Sequence, residues 1–350
     1  MKIILDAMGG DNAPEAVILG AVDAAKDFNT EIILVGQGEE ILAAMKKNGI
    51  HDLPAGLAIA NADDVVDMHD DPAAVLHKRK NSSMVVGLKM LSEGQGDAFV
   101  SAGSTGALLT AATLVVKRVK GIRRAAMAPA FPNKAGGKTI ICDCGANAEC
   151  TPEFLLQFAI VGSLHAKKSL GLANPRVGLL NIGTEDSKGT ALQLAAYPML
   201  QDAHEKGLIN FIGNVEARQV PLGEVDVVVC DGFSGNVMLK TIEGTAMFLG
   251  SMMKNKIFRR RSQLWGGIPA GIGYLLCKPG VDEVMKLLDY REIGGTQFVG
   301  IKKPVIKAHG SSDARAFYNA VRQAVDAAKN NTAEELEAAL KQISAAKETA

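Results

Sequence analysis

A three-layer α/β/α fold with a mostly parallel sheet is the fold class that this 350-residue sequence predicts. Candidate strands and helices alternate along the chain, which is typical of βα units joined by right-handed crossovers. Apolar residues occupy successive positions in the runs Ile140–Cys142 and Val227–Cys230, as expected for strands covered on both faces. Three apolar runs end in a loop rich in Gly, Ser, Thr or Asn that opens a helix, an arrangement that favours anion binding.

The elements follow from local patterns. The first βα unit is a strand over Ile3–Asp6 and a helix over Pro14–Asp27, because proline is favoured in a first helical turn. A helix is predicted over Ala73–Glu93, where apolar residues recur at helical spacing. The other predicted strands are Glu31–Val35, Leu57–Asn61, Ala98–Ser101, Thr139–Asp143, Val177–Asn181, Ile209–Ile212 and Val225–Cys230. The other predicted helices are Glu39–Lys47 and four that begin near Gly106, Pro152, Thr190 and Asn236.

One α/β/α domain is predicted over residues 1–330, and the same pattern is compatible with two lobes within that domain. No exact repeat or low-complexity linker divides this part of the chain. Residues 331–350 are rich in Ala, Glu and Lys and are predicted to form a helical tail.

Composition excludes several classes of protein. The 38 basic and 38 acidic residues give no net charge, which disfavours a nucleic-acid binder. The start resembles a first strand more than a signal peptide, and no uncharged apolar run reaches the roughly 18 residues of a membrane span. The five cysteines are sparse and lack CxxC spacing, so we expect a reduced cytoplasmic protein without a metal site. No cofactor is predicted, because Gly36–Gly38 is only half of a dinucleotide fingerprint.

The first anion-type loop is SAGSTG, which follows a predicted strand and precedes a helix. Its small residues and hydroxyl groups suit the close approach of an oxyanion such as phosphate. The candidate phosphate-binding residues are Gly103, Ser104, Thr105 and Gly106. The alternative is ordinary capping of the helix by a Ser or Thr side chain.

Two further loops add charged and amide groups. Lys188 precedes a helix in NIGTEDSKG, where it could pair with phosphate or stabilise a developing oxyanion, or could be a solvated surface lysine. In DGFSGN, the amide of Asn236 could donate to an oxyanion, while Asp231 could orient a lysine or accept a proton. Both could instead only cap the turn. His309 in KAHGSSD is the best histidine candidate for acid–base work, and a structural hydrogen bond is the alternative.

The segment Phe258–Gly280 differs from the rest of the chain. Arg259, Arg260 and Arg261 precede a glycine-interrupted apolar stretch that contains Trp265 and Ile268. Basic residues beside Trp and Ile favour contact with the headgroups of an anionic membrane. A buried helical hairpin or a dimer contact is the alternative.

Six motifs together resemble one family, the bacterial acyl-carrier-protein-dependent phosphate acyltransferases of phospholipid synthesis. The motifs are DAMGGDNAP, SAGSTGALL, CGAN, NIGTEDSKG, VVCDGFSGNVMLK and KAHGSSD, and they extend from residue 3 to about residue 320. The resemblance implies a fold similar to phosphotransacetylases and isocitrate/isopropylmalate dehydrogenases, and a homodimer. It also implies a cytoplasmic, membrane-associated enzyme that transfers a fatty acyl chain from acyl carrier protein to inorganic phosphate. The acyl phosphate product would supply the membrane glycerol-phosphate acyltransferase.

Such a reaction needs a cradle for phosphate and donors for a tetrahedral oxyanion, and it needs no Ser–His–Asp triad. For this reaction, we assign the binding of phosphate and of the oxyanion to Ser104, Thr105, Lys188 and Asn236. Asp231 would orient Lys188 or Asn236, and His309 would help protonate the leaving thiolate. The alternatives are a nicotinamide-dependent dehydrogenase on a related fold and a non-catalytic module that binds acyl lipids or a carrier protein.

Overall fold

The computed structural model describes residues 1–252, 278–280, 289–330 and 332–348, and over these residues the chain forms two sheets. The first sheet has the strand order β3-β2-β1-β4-β12-β11-β5, and the second has the order β6-β7-β10-β8-β9. The strands are β1 Lys2–Asp6, β2 Glu31–Gly36, β3 Leu57–Asn61, β4 Ala98–Ser101, β5 Ala126–Met127, β6 Ala130–Pro132, β7 Lys138–Cys142, β8 Arg176–Asn181, β9 Asn210–Glu216, β10 Val227–Val229, β11 Gly295–Val299 and β12 Val305–Ala308.

Helices follow most of the strands. They are α1 Glu15–Phe28, α2 Gly38–Lys47, α3 Val75–Lys78, α4 Ser83–Ser92, α5 Thr105–Ala111, α6 Pro152–Ser169, α7 Ala191–Glu205, α8 Gly232–Met252, α9 Tyr290–Ile293, α10 Ala314–Lys329 and α11 Ala333–Glu348. A π-helical turn, Ala112–Val116, continues α5. The last of these helices, α11, lies within residues 331–350.

Helices cover the first sheet on both faces. Side chains alternate along β1, so that Ile3 and Leu5 pack with α1 and α10 while Ile4 packs with α4. All three side chains are fully buried, which explains why the strand is apolar at successive positions. The predicted three-layer arrangement with mostly parallel strands is confirmed here.

The second sheet is covered in the same way. Ile140 of β7 packs on the face that carries α6 and α7, while Ile141 packs on the opposite face with Met238 of α8. Strands β7, β10 and β8 are mutually parallel, and β6 adds an antiparallel edge. Helix α8 therefore lies on the face of this sheet opposite to α6 and α7.

Some predicted boundaries were wrong. The single helix predicted over Ala73–Glu93 is two helices, α3 and α4, with an interruption at residues 79–82. The side chain of Arg79 bonds Asp64 and Asp70, and the hydroxyl of Ser82 accepts the N–H of Val85 to cap the second helix. The helix expected near Asn236 begins earlier, at Gly232, so Asn236 lies in its second turn.

Among the helices that the structure describes, none is long and apolar enough to cross a bilayer. The predicted membrane-contact residues Arg259, Arg260, Arg261, Trp265 and Ile268 lie outside the described residues.

Candidate active site

A cleft between the two sheets contains three of the predicted site residues, Thr105, Asn236 and His309. On one side are the loops after β1, β4 and β12, which are parallel neighbours, so that their carboxyl ends meet. On the other side are the loop after β7 and helix α8, which follows β10. The carboxyl edge of a parallel sheet is where α/β proteins bind ligands. The cleft has a volume of about 630 Å³.

The lining of the cleft is polar at its strand ends and apolar elsewhere. Apolar groups come from β5, β6 and the middle of α8. The polar and charged side chains that line it are Asp11, Thr105, Asn236, Lys240, Glu243, Thr296, Lys307, His309 and Ser311. The cleft can therefore hold an anionic group beside an apolar chain.

Buried hydrogen bonds shape the loop that contains Thr105. The carboxylate of Asp6, almost fully buried, accepts the hydroxyl of Ser101 at 2.6 Å, and this hydroxyl accepts the N–H of Gly103 at 3.1 Å. Burial raises the pKa of Asp6, while the hydrogen bond from Ser101 opposes that rise. The space is tight, because a Cβ at Gly9 would lie 2.9 Å from the backbone nitrogen of Gly103. This packing fixes the turn that carries Gly103, Ser104, Thr105 and Gly106, of which Thr105 reaches the cleft.

A second buried carboxylate organises the CGAN loop. Asp143 is fully buried and accepts the N–H groups of Met127 at 2.8 Å, Cys144 at 2.6 Å and Asn147 at 2.6 Å. The side-chain amide of Asn147 also donates to it, at 3.0 Å. Burial raises the pKa of Asp143, and these hydrogen bonds offset only part of that rise. Loop 143–147 is thus a rigid support for the cleft.

Glycines bring α8 against that support. A Cβ at Gly235 would lie only 2.0 Å from the backbone oxygen of Asp143, and one at Gly232 would lie 2.6 Å from that of Asn147. The next residue, Asn236, places its side chain near Gly145. A Cβ added to Gly145 would lie 3.8 Å from the side-chain amide carbon of Asn236. The amide of Asn236 is therefore held at the cleft by the packing of Gly232 and Gly235 against loop 143–147.

His309 has a defined orientation. Its Nδ1 accepts the backbone N–H of Ser311 at 3.3 Å and lies 2.8 Å from the Ser311 hydroxyl. An accepting Nδ1 assigns the proton of the neutral ring to Nε2. Burial, with the positive charges of Lys240 and Lys307, lowers the pKa of His309. The ring is thus neutral at pH 7 and offers an Nε2–H donor.

Lys188 and Asp231 lie elsewhere. The sheet order places β10 between β7 and β8, so the NIGTEDSKG loop after β8 borders a second, largely apolar cavity of about 740 Å³ that Asp231 also lines. Lys188 is exposed in this loop, and its backbone oxygen accepts the amide of Asn181. The carboxylate of Asp231 accepts the N–H and the hydroxyl of Ser234, both at 2.8 Å, at the start of α8. Their catalytic roles stay predictions.

Sequence reasoning did not single out some residues of the cleft. Lys240 and Glu243 lie one helical turn and two turns beyond Asn236, so the helical period could have placed them beside it. Three charged residues lie at or next to the end of an apolar strand: Asp6, Asp143 and Lys307. Burying a charged side chain there costs desolvation free energy, so its presence points to a structural or functional role. That position was the available signal.

The fold has relatives of known structure. A phosphotransacetylase from Streptococcus pyogenes aligns over 94% of each chain with a TM-score of 0.62 and 19% sequence identity. A 4-hydroxythreonine-4-phosphate dehydrogenase from Salmonella typhimurium aligns over 93% of this chain and 98% of its own, with a TM-score of 0.52 and 13% identity. At these identities the likeness shows the fold alone, which is the α/β fold shared by phosphotransacetylases and a class of dehydrogenases.

Sequence relatives define the family. The fatty acid synthesis protein family matches residues 1–335. A phosphate acyltransferase from Desulfitobacterium hafniense is 44% identical over 349 residues, covering 99% of this chain and 100% of the relative. A phosphate acyltransferase from Bacillus licheniformis is 43% identical over 98% of this chain and 99% of its own. The chain is therefore an acyltransferase. It belongs to the phosphate acyltransferase family.

Proposed function

We propose that this protein transfers a fatty acyl chain from the thioester of acyl carrier protein to inorganic phosphate. The product would be an acyl phosphate, which the membrane glycerol-phosphate acyltransferase would consume. One observation carries the proposal in addition to family membership. The cleft gathers Thr105, Asn236 and His309 at the carboxyl ends of parallel strands, beside an apolar lining that suits an acyl chain.

In the proposed reaction a phosphate oxygen attacks the thioester carbonyl carbon. A C–O bond forms, the C–S bond breaks, and the phosphopantetheine thiolate leaves and takes up a proton. Thr105 and Asn236 would donate hydrogen bonds to phosphate and to the tetrahedral oxyanion. The Nε2–H of the neutral His309 ring would donate a hydrogen bond to the departing sulfur, and the proton that the thiolate takes up would come from the attacking monohydrogen phosphate.

The remaining predicted site residues are retained as parts of this proposal. Gly103, Ser104 and Gly106 would shape the phosphate loop around Thr105. Lys188 would act if its loop approaches the acyl phosphate from the side of β8, with Asp231 holding the start of α8 in place. The exposure of Lys188 supports such an approach, because surface loops move more readily than the packed elements that they connect.

The decisive test follows the acyl-carrier-protein thioester by mass spectrometry, with hydroxylamine trapping of acyl phosphate as its hydroxamate. We expect thioester loss and hydroxamate formation to depend on phosphate and not on sulfate. Reduction of an added nicotinamide cofactor would instead indicate a dehydrogenase. Stoichiometric binding of the acyl carrier without turnover would indicate a binding module.

Direct transfer predicts that no acyl-enzyme forms. Burial, with the nearby charge of Asp143, raises the pKa of Cys144 to about 12, and burial raises the pKa of Cys230 well above its usual value. Such thiols are almost entirely protonated at pH 7 and are poor nucleophiles. Intact-mass analysis after mixing with acyl donor but no phosphate should show no stoichiometric adduct. A stable adduct on Cys144 or Cys230 would contradict this mechanism.

Peripheral membrane contact and a homodimer complete the proposal. Helix α8 ends in exposed apolar side chains, among them Met247 at 75% and Phe248 at 60%, and in the sequence it precedes the basic segment 258–280. Apolar side chains beside basic residues would bind anionic headgroups, at about 1 kcal/mol for each arginine near the surface.

Replacing Arg259, Arg260 and Arg261 by Glu should therefore abolish sedimentation with anionic vesicles and leave soluble turnover largely intact. Trp265→Asp with Ile268→Asp should act in the same way. Light scattering would report the oligomeric state of each variant. Retained vesicle binding in both variants, or loss of a dimer in the second, would favour a structural hairpin over membrane contact.

A further inference from the structure

A lysine occupies a position in the cleft that is costly for a charge. Lys307 belongs to β12, whose other three residues are fully buried, and it is itself only 9% exposed. An ammonium group in such a place loses most of its hydration, which must be offset by partners. No carboxylate forms an ion pair with it within the described parts of the chain. The charges of Asp6 and Asp11 act on it without forming an ion pair in the described residues, so an anion bound in the cleft would offset the remaining cost of its burial.

The hydrogen bonds of Lys307 are incomplete. Its ammonium group donates to the backbone oxygens of Ala102, at 3.3 Å, and of its neighbour Ala308. An ammonium group has three N–H donors, and over residues 1–252, 278–280, 289–330 and 332–348 no third acceptor is found for it. The same side chain lines the cleft together with Thr105 and Asn236. A ligand in the cleft can thus meet a positive charge and a donor.

We propose that Lys307 binds the attacking inorganic phosphate through its ammonium group and so sets the affinity of the enzyme for that substrate. The assignment rests on the proposed function. Two carbonyl contacts hold the ammonium in place before phosphate arrives, so little side-chain entropy is lost on binding. Once phosphate binds, its negative charge offsets the cost of burying the ammonium group of Lys307.

The environment of Lys307 gives the assignment a pH signature. Burial lowers its pKa to about 8, against the opposing effects of Asp11 and Asp6. The free enzyme loses this charge as pH rises through 8, while phosphate stays a dianion, so kcat/KM for phosphate should fall there. The titratable and charged groups around it in the cleft are Asp6, Asp11, Lys240, Glu243 and His309.

The test compares Lys307→Met, Lys307→Arg and a control, Lys302→Met, in which an exposed lysine of the same β-hairpin is changed. A charge-assisted hydrogen bond is worth roughly 1.5–3 kcal/mol, so Lys307→Met should raise KM for phosphate at least about tenfold. KM for acyl carrier protein should stay within about twofold. Lys307→Arg should retain phosphate binding and lose the decline above pH 8, because arginine stays charged. Lys302→Met should behave as wild type.

Calorimetric titration of the wild-type protein with inorganic phosphate, without acyl donor, measures the affinity for phosphate directly. Because no variant is used, a folding defect cannot affect this measurement. Affinity should weaken several-fold between pH 7 and pH 9.5. An unchanged KM for phosphate in Lys307→Met, equal rises for both substrates, or a pH-independent affinity would each overturn the assignment. If the wild type does not consume acyl carrier protein thioester with phosphate, the proposed function fails, and the titration still decides whether Lys307 binds phosphate.

Discussion

Replacing Asn236 by Ala should lower turnover by roughly 100- to 1000-fold at saturating phosphate, because a preorganised donor to a developing oxyanion is worth that much. Its amide lines the cleft next to Gly145, on a helix fixed by the backbone of loop 143–147. Since Asn236 is exposed at the cleft surface, the variant should fold with an unchanged thermal midpoint. Steady-state kinetics and thermal denaturation measure the two effects separately.

Two companion variants sharpen this prediction. Asn210→Ala removes an asparagine from β9, outside the cleft, and should leave turnover unchanged. Lys188→Ala should also lose most turnover if its loop approaches the reacting groups. Near wild-type rates in both Asn236→Ala and Lys188→Ala would mean that the assigned site is wrong. Loss in Lys188→Ala alone would move the chemistry to the cavity beside β8.

Gly235→Ala should destabilise the protein by several kcal/mol and abolish most activity. The added Cβ would lie 2.8 Å from the sulfur of Cys230 and only 2.0 Å from the backbone oxygen of Asp143, which cannot turn aside as a side chain can. Overpacking of this kind typically costs about 1–3 kcal/mol, and a backbone clash lies at or beyond the upper end. Helix α8 would have to move away, and Asn236 would move with it.

Gly244→Ala is the matched control, since it lies on the same helix and nothing occurs within 4 Å of its added Cβ. Alanine is a better helix former than glycine, so this control should stabilise the protein by about 0.5–1 kcal/mol. Chemical denaturation would compare the free energies of unfolding. Equal stabilities for the two variants would show that contact between α8 and loop 143–147 does not hold the helix in place.

The parts of the fold that could be predicted from sequence are those that local patterns determine. The runs around β7 and β10 are apolar at successive positions and were placed within two residues at either end. Strands β5, β6, β11 and β12 were missed: β5 and β6 are only two and three residues long and β11 has two buried residues, but β12 is buried at all four positions. The division of the strands between two sheets depends on pairings distant in sequence, which no local pattern reports.

The same distinction applies to the site. Thr105 and Asn236 follow strands that were predicted, so their positions near strand ends could be anticipated, whereas His309 follows β12, which was not predicted. Whether Lys188 joins them depends on which strand neighbours β10 on each side, and this order is not written in any motif. The significance of Lys307 depends on burial and on unfilled hydrogen-bonding capacity, which only the folded chain reveals.

The position of β12 in the first sheet has a consequence for biosynthesis. It pairs with β4, yet about 200 residues separate the two strands in the chain. At about 5–20 residues per second, a ribosome needs roughly 10–40 s to reach β12 after completing β4. During that interval the edge of β4 lacks its native neighbour and is open to wrong pairing. The wall of the cleft that carries Lys307 and His309 is accordingly among the last parts of the enzyme to form.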